Sequence, residues 1–109
     1  MEHGIDMQIQ IHADGGDTFE QVEKVLQYYL PALDDGIERF RIDVQPLRDE
    51  LGNRLYRCEI QATLVRGEPF DLEETQADLV LTITRALDRT ARTLRRRQAT
   101  RSMPRSASG

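Results

Sequence analysis

Two stretches of this chain alternate apolar and polar residues with a period of two, and this restricts the fold more than any other feature. From Glu38 to Leu47, Phe40, Ile42 and Val44 fall on one side, and Arg39, Arg41, Asp43 and Gln45 on the other. From Leu55 to Val65, Tyr56, Cys58, Ile60, Ala62 and Leu64 share one side, and Arg57, Glu59, Gln61 and Thr63 the opposite one. Successive side chains of a strand point to opposite faces, so each stretch reads as a strand with one face to bury and one to leave in water. The intervening Asp49-Glu-Leu-Gly-Asn53 reads as a hairpin loop. Met7-Gln-Ile-Gln-Ile-His12 alternates in the same way, and Phe70 and Leu72 mark a short final strand after a turn at Gly67-Glu-Pro69. A sheet whose strands are all apolar on one side must be covered on that side and can stay bare on the other.

Two helical periodicities supply the cover. Phe19, Val22, Leu26, Tyr29 and Leu33 recur at helical spacing, behind an Asp17 suited to the N-cap and a Glu20 that completes a capping-box pattern. Pro31 should kink or end this helix, and Gly36 is able to take a left-handed cap after Asp34-Asp35. The closing helix is expected from about Gln76 to Gln98, with Val80, Ile83, Leu87, Ala91 and Leu94 on its packing face. The expected order is β-α-β-β-β-α, an α+β fold. A right-handed crossover makes the first two strands parallel, the last three form a meander, and both helices pack on one face of a four-stranded mixed sheet. Residues 1–6 read as a leader, residues 7–98 as one domain, and residues 99–109 as a disordered basic tail.

Charge divides the chain unevenly. The net charge is −4, yet residues 1–84 carry 7 Lys/Arg against 18 Asp/Glu, whereas residues 85–109 carry 8 Arg against Asp88 alone. Such asymmetry points to a charged partner for one end. Arg85, Arg89, Arg92 and Arg96 recur at i, i+4, i+7 and i+11, and the stripe points about 160° away from the apolar side at Ile83. Arg95 and Arg97 support it. Cations near a helix C-terminus favour the macrodipole, which accounts for one or two arginines in the last turn but not for a row continued by Arg101 and Arg105. Forked, permanently charged guanidinium groups in a row suit phosphate. Such contacts position a nucleic acid without reading its sequence.

Catalytic chemistry has little to build on. His3 and His12 are the only histidines, and neither has a Cys or Asp partner at a motif spacing. Cys58 is the only cysteine, which excludes an intramolecular disulfide and a cysteine-based zinc site, fits a reducing cytoplasm, and reads as a small buried hydrophobe. Asp34-Asp35 and Glu73-Glu74 are read as adjacent pairs near turns, with no cleft between them. Gly15-Gly16 lacks the further glycines and the lysine of a phosphate loop. No apolar run reaches the length of a membrane span. No enzyme, metal, cofactor, small-molecule substrate or membrane is therefore expected. The bare sheet face offers Arg39, Arg41 and Arg57 as weaker phosphate contacts, with Lys24 on the first helix, but lacks the aromatics that an RNA-stacking sheet needs.

The closing helix also carries a resemblance. Asp78, Ile83, Asp88, Arg89, Arg92, Leu94 and Arg96, together with the opening Met7-Gln-Ile-Gln-Ile, resemble the short ribosome hibernation-promoting factor and ribosome-associated inhibitor A family, also named sigma-54 modulation proteins. The resemblance spans about residues 7–98. It implies a fold like that of double-stranded-RNA-binding domains, and binding to RNA in the channel of the small ribosomal subunit. It implies cytoplasmic, non-catalytic inhibition of translation by occupancy, in a stress-response role. The chain departs from the family pattern at Thr84, where Asp is usual, and in the acidic surroundings of Lys24 on the first helix. A divergent relative acting as a protein-interaction module through its acidic body is the alternative. Oligomeric state is left open.

Overall fold

The computed structural model describes residues 5–12, 16–34 and 36–102, with the side chains of Gly16, Asp17 and residues 100–102 outside the described set. His3, the turn at residues 13–15, Asp35, Arg105 and the capping role expected of Asp17 thus lie outside the described residues. Six elements follow in order: β1 (Asp6–Ile11), α1 (Gly16–Leu33), β2 (Ile37–Arg48), β3 (Arg54–Leu64), β4 (Phe70–Gln76) and α2 (Leu79–Ser102). The strands lie in the order β1-β2-β3-β4, with β1 parallel to β2 and the other pairs antiparallel. This is the α+β arrangement that the alternation required.

Inward residues align across the sheet in two ranks, Met7–Phe40–Ala62–Phe70 and Ile9–Ile42–Ile60–Leu72. Phe40, Ile42 and Ile60 are fully buried beneath Val22, Leu26 and Leu33 of α1 and Ile83, Leu87 and Leu94 of α2. The two helices roof one face, and the polar side chains of all four strands line the other.

Several details differ from expectation, each for a physical reason. Phe19 and Val80 are 48% and 39% exposed, because each lies near the N-terminus of its helix, at the margin of the packed face. On α2 the small Ala86 and the threonines Thr82 and Thr90 are buried instead. The hydroxyls of both threonines are satisfied within the helix: Thr82 Oγ1 donates to Asp78 O at 2.6 Å and Thr90 Oγ1 to Ala86 O at 2.8 Å. Gly36 does not adopt the left-handed conformation, which belongs to Gly52 (φ 84°) and Gly67 (φ 101°). Its role is close approach, since a Cβ there would sit 2.7 Å from Leu94 Cδ1. The last strand runs to Gln76, the expected start of the closing helix, and the helix begins at Leu79, so Glu73 and Glu74 belong to a strand and face opposite sides. The closing helix continues to Ser102, beyond the expected end at Gln98.

Candidate nucleic-acid interface

The arginine row depends on how α2 is started and seated. Asp78 caps it: its Oδ2 accepts the backbone N–H of Leu81 at 2.8 Å, satisfying one of the orphan donors of the first turn. From that start, burial of Ile83, Leu87, Ala91 and Leu94 turns Arg85, Arg89, Arg92, Arg95 and Arg96 to solvent, whereas Arg97 is half-buried.

Internal contacts divide these six arginines. Arg89 bridges back to β4: its Nη1 donates to Glu73 O and to Glu74 Oε1, both at 2.8 Å. Glu74 is an inward position of β4 with a side chain only 14% exposed. The Gln76 amide and the Arg89 guanidinium, helped by the charge of Arg85, hold its carboxyl below the usual range against the opposing effect of desolvation. Arg97 donates to Glu68 O at 2.6 Å and lies over the Phe70 ring at 5.1 Å. Arg92 meets Asp88 one turn away at 3.0 Å, a pair with both side chains largely in water. Among the described residues, Arg85, Arg95 and Arg96 have no hydrogen bond or ion pair. The structure thus leaves Arg85, Arg92, Arg95 and Arg96 available on one side of the molecule and commits Arg89 and Arg97 to the seam between α2 and β4.

The weaker candidates are placed differently. Arg39 pairs with Asp6 at 3.5 Å, and Arg41 donates to Gln10 Oε1 at 3.1 Å. Arg57 donates to Gln45 Oε1 at 3.3 Å, with its Nε 3.7 Å from carboxylates of both Glu59 and Glu73. Register puts Asp43, Glu59 and Glu73 in one cross-strand rank, with His12 Nε2 3.4 Å from Asp43. Arg39 and Arg57 therefore neutralise carboxylates, and Arg41 is held by a neutral amide, on an acid-rich face that is a poor surface for phosphate. Lys24 is exposed on α1, on the helix surface one turn before Tyr28. Cys58 is fully buried, and burial, with the nearby charges of Asp43, Glu59 and Glu74, pushes its thiol up to about 12, which silences it as a nucleophile.

Sequence reasoning passed over Tyr28 and read its neighbour Tyr29 only as part of the apolar stripe. Tyr28 and Tyr29 form an edge-to-face pair with ring centroids 5.3 Å apart at 80°. Tyr29 packs on the core, and burial, with the charge of Asp88, raises its phenol while Arg92 pulls the other way. Tyr29 thereby stands close to Asp88 and Arg92 of α2, with Tyr28 on its outer side. A tyrosine just off the apolar stripe, next to one on it, was the available signal.

A small α+β domain of β-α-β-β-β-α order, with one bare sheet face and an arginine-lined outer helix, is the class that fold and surface define. Solved structures share the fold. The chain is similar to the N-terminal domain of Protein Y from Thermus thermophilus, at 28% identity and a TM-score of 0.57 over 85% of this chain and 97% of that one. It also shares the fold of a ribosomal subunit interface protein from Coxiella burnetii, at 20% identity and a TM-score of 0.62 over 87% and 97%. Both belong to the hibernation-promoting and sigma-54 modulation family, so the resemblance read from the closing helix holds in three dimensions. No protein-family model and no curated protein matches the chain.

Proposed function

We propose that this chain is a non-catalytic, ribosome-associated hibernation factor. It acts in the cytoplasm and binds RNA of the small ribosomal subunit through α2, inhibiting translation by occupying the RNA channel. The observation that carries this reading is the solvent-facing set Arg85, Arg92, Arg95 and Arg96, set opposite the buried stripe of the same helix. The likeness to Protein Y and to a ribosomal subunit interface protein supports it. Guanidinium groups bind phosphate bidentately and release counterions, so affinity should fall steeply with salt. Four neutralised phosphates correspond to a log–log slope of roughly −3 to −4. Co-sedimentation of the purified protein with small subunits over a salt series tests it. The expected result is that slope, with binding abolished by Arg92→Glu plus Arg96→Glu. Absence of binding at low salt, or indifference to that reversal, refutes the reading.

The cross-strand rank Asp43–Glu59–Glu73 favours a second reading, in which the bare sheet face engages a basic protein surface. A complex pulled down from RNase-treated extract that survives the arginine reversal, but is lost with Glu59→Lys, would favour it.

A further inference from the structure

We infer that Tyr28 is a stacking platform for an unpaired base of the bound RNA, placed so that the adjoining phosphates meet the arginine row of α2. The inference rests on the RNA-binding reading above and adds the class of RNA: single-stranded or bulged, not continuous duplex.

Tyr28 is 79% exposed, the most exposed aromatic among the described residues. A ring left in water usually rotates freely, but this one is held edge-to-face by Tyr29 at 5.3 Å. Tyr29 is itself fixed by packing on the core. An edge-to-face pair occupies at most one face of either ring, so at least one face of Tyr28 stays open. A ring with two torsions, already oriented, loses little freedom when a base lies on it. Cations lie near it on both helices. Lys24 lies one turn before it on α1, and across from its partner ring the exposed Asp88–Arg92 pair of α2 is close enough to act on Tyr29. An aromatic face flanked by cations is the arrangement that binds single strands, with stacking for the base and ion pairs for the backbone. Bases inside a duplex are stacked on one another and have no face to offer. The sheet face, which lacks outward aromatics, cannot supply this contact, whereas the helical face can.

The chain contains no tryptophan, so Tyr28→Trp creates a single fluorescent reporter at an exposed position. It should be titrated with a single-stranded oligouridylate, an RNA duplex of equal length, and inorganic polyphosphate. Stacking predicts quenching by the single strand alone, although all three bind. Tyr28→Ala should weaken binding of the single strand by about 5- to 100-fold. It should leave polyphosphate binding and the salt slope unchanged, and Tyr28→Phe should retain the wild-type affinity. Single-strand binding without quenching, or Tyr28→Ala binding the single strand as tightly as wild type, overturns the stacking role and leaves the arginine reading intact. Failure of all three probes to bind at low salt overturns both.

Discussion

Arg89 belongs to the row that the sequence offers to RNA, but its contacts in the fold make it a fastener, and removing it separates the two roles. Its guanidinium reaches two acceptors at 2.8 Å, the Glu73 carbonyl and the Glu74 carboxylate. Hydrogen bonds to charged groups contribute about 1.5–3 kcal/mol each. Arg89 is 46% exposed, which screens the pair, and Glu74 keeps the Gln76 amide at 2.9 Å when Arg89 is lost. Arg89→Ala should therefore cost about 1.5 kcal/mol, a fall in Tm of about 6–9 °C for a domain of this size. A double-mutant cycle with Glu74→Gln should return a coupling of about 1 kcal/mol. Arg92→Ala, which breaks only the exposed pair with Asp88, should stay within about 0.5 kcal/mol of wild type. Thermal unfolding followed by circular dichroism reads all of these. Repeated on RNA, the salt slope should fall by about one with Arg92→Ala and stay unchanged with Arg89→Ala. The reasoning fails if Arg89→Ala destabilises no more than Arg92→Ala, or if it lowers the salt slope by the same unit.

Three further outcomes follow from local geometry. Gly36→Ala should destabilise by about 1–2 kcal/mol in urea unfolding, because the new Cβ overlaps Leu94 Cδ1 at 2.7 Å and Leu94 is buried. Cys58 should resist a thiol reagent at pH 8 while the protein is folded and react at once in denaturant, since its thiol is enclosed and held at about 12. The Asp49 carboxylate accepts the backbone N–H groups of Leu51 and Asn53 at 2.9 and 2.8 Å, which, Asn53 foremost, hold it below its ordinary value of 3.8. A depressed carboxyl contributes its stability above the unfolded value and loses it as pH falls through the folded one. Protection of the Leu51 and Asn53 amides, taken relative to intrinsic exchange at the same pH, should therefore be held near neutrality and lost as pH falls below 3.8, and Asp49→Asn should remove that pH dependence.

Alternation made most of this architecture legible. Wherever a strand's inward positions were apolar, as at Phe40, Ile42 and Val44, both its extent and its facing could be read. The second half of β4 could not, because its inward positions are Glu74 and Gln76. These pass as loop or helix until Arg89 and the Glu74–Gln76 hydrogen bond are seen to satisfy them. Helical phase likewise showed which arginines face water, because it depends on neighbours along the chain. Which of them are engaged depends on backbone atoms far away in sequence, such as the Glu68 carbonyl that takes Arg97, and spacing carries no record of that. Tyr28 was visible as a letter but not as a surface, since only the packing of α1 beside α2 brings its partner Tyr29 near Asp88 and Arg92 and leaves Tyr28 outside.

The Arg89 contact bears on a hazard of every open sheet. With strand order β1-β2-β3-β4, the last strand is an edge, and an edge is a template on which a stray strand can pair and aggregates can grow. Two arginines of α2 reach over that edge and engage carbonyls there, Arg89 at Glu73 and Arg97 just before the strand at Glu68. An incoming strand at these points would have to displace a charged, already bonded guanidinium. The helix that offers cations to a partner thus also guards the sheet against pairing with its own kind.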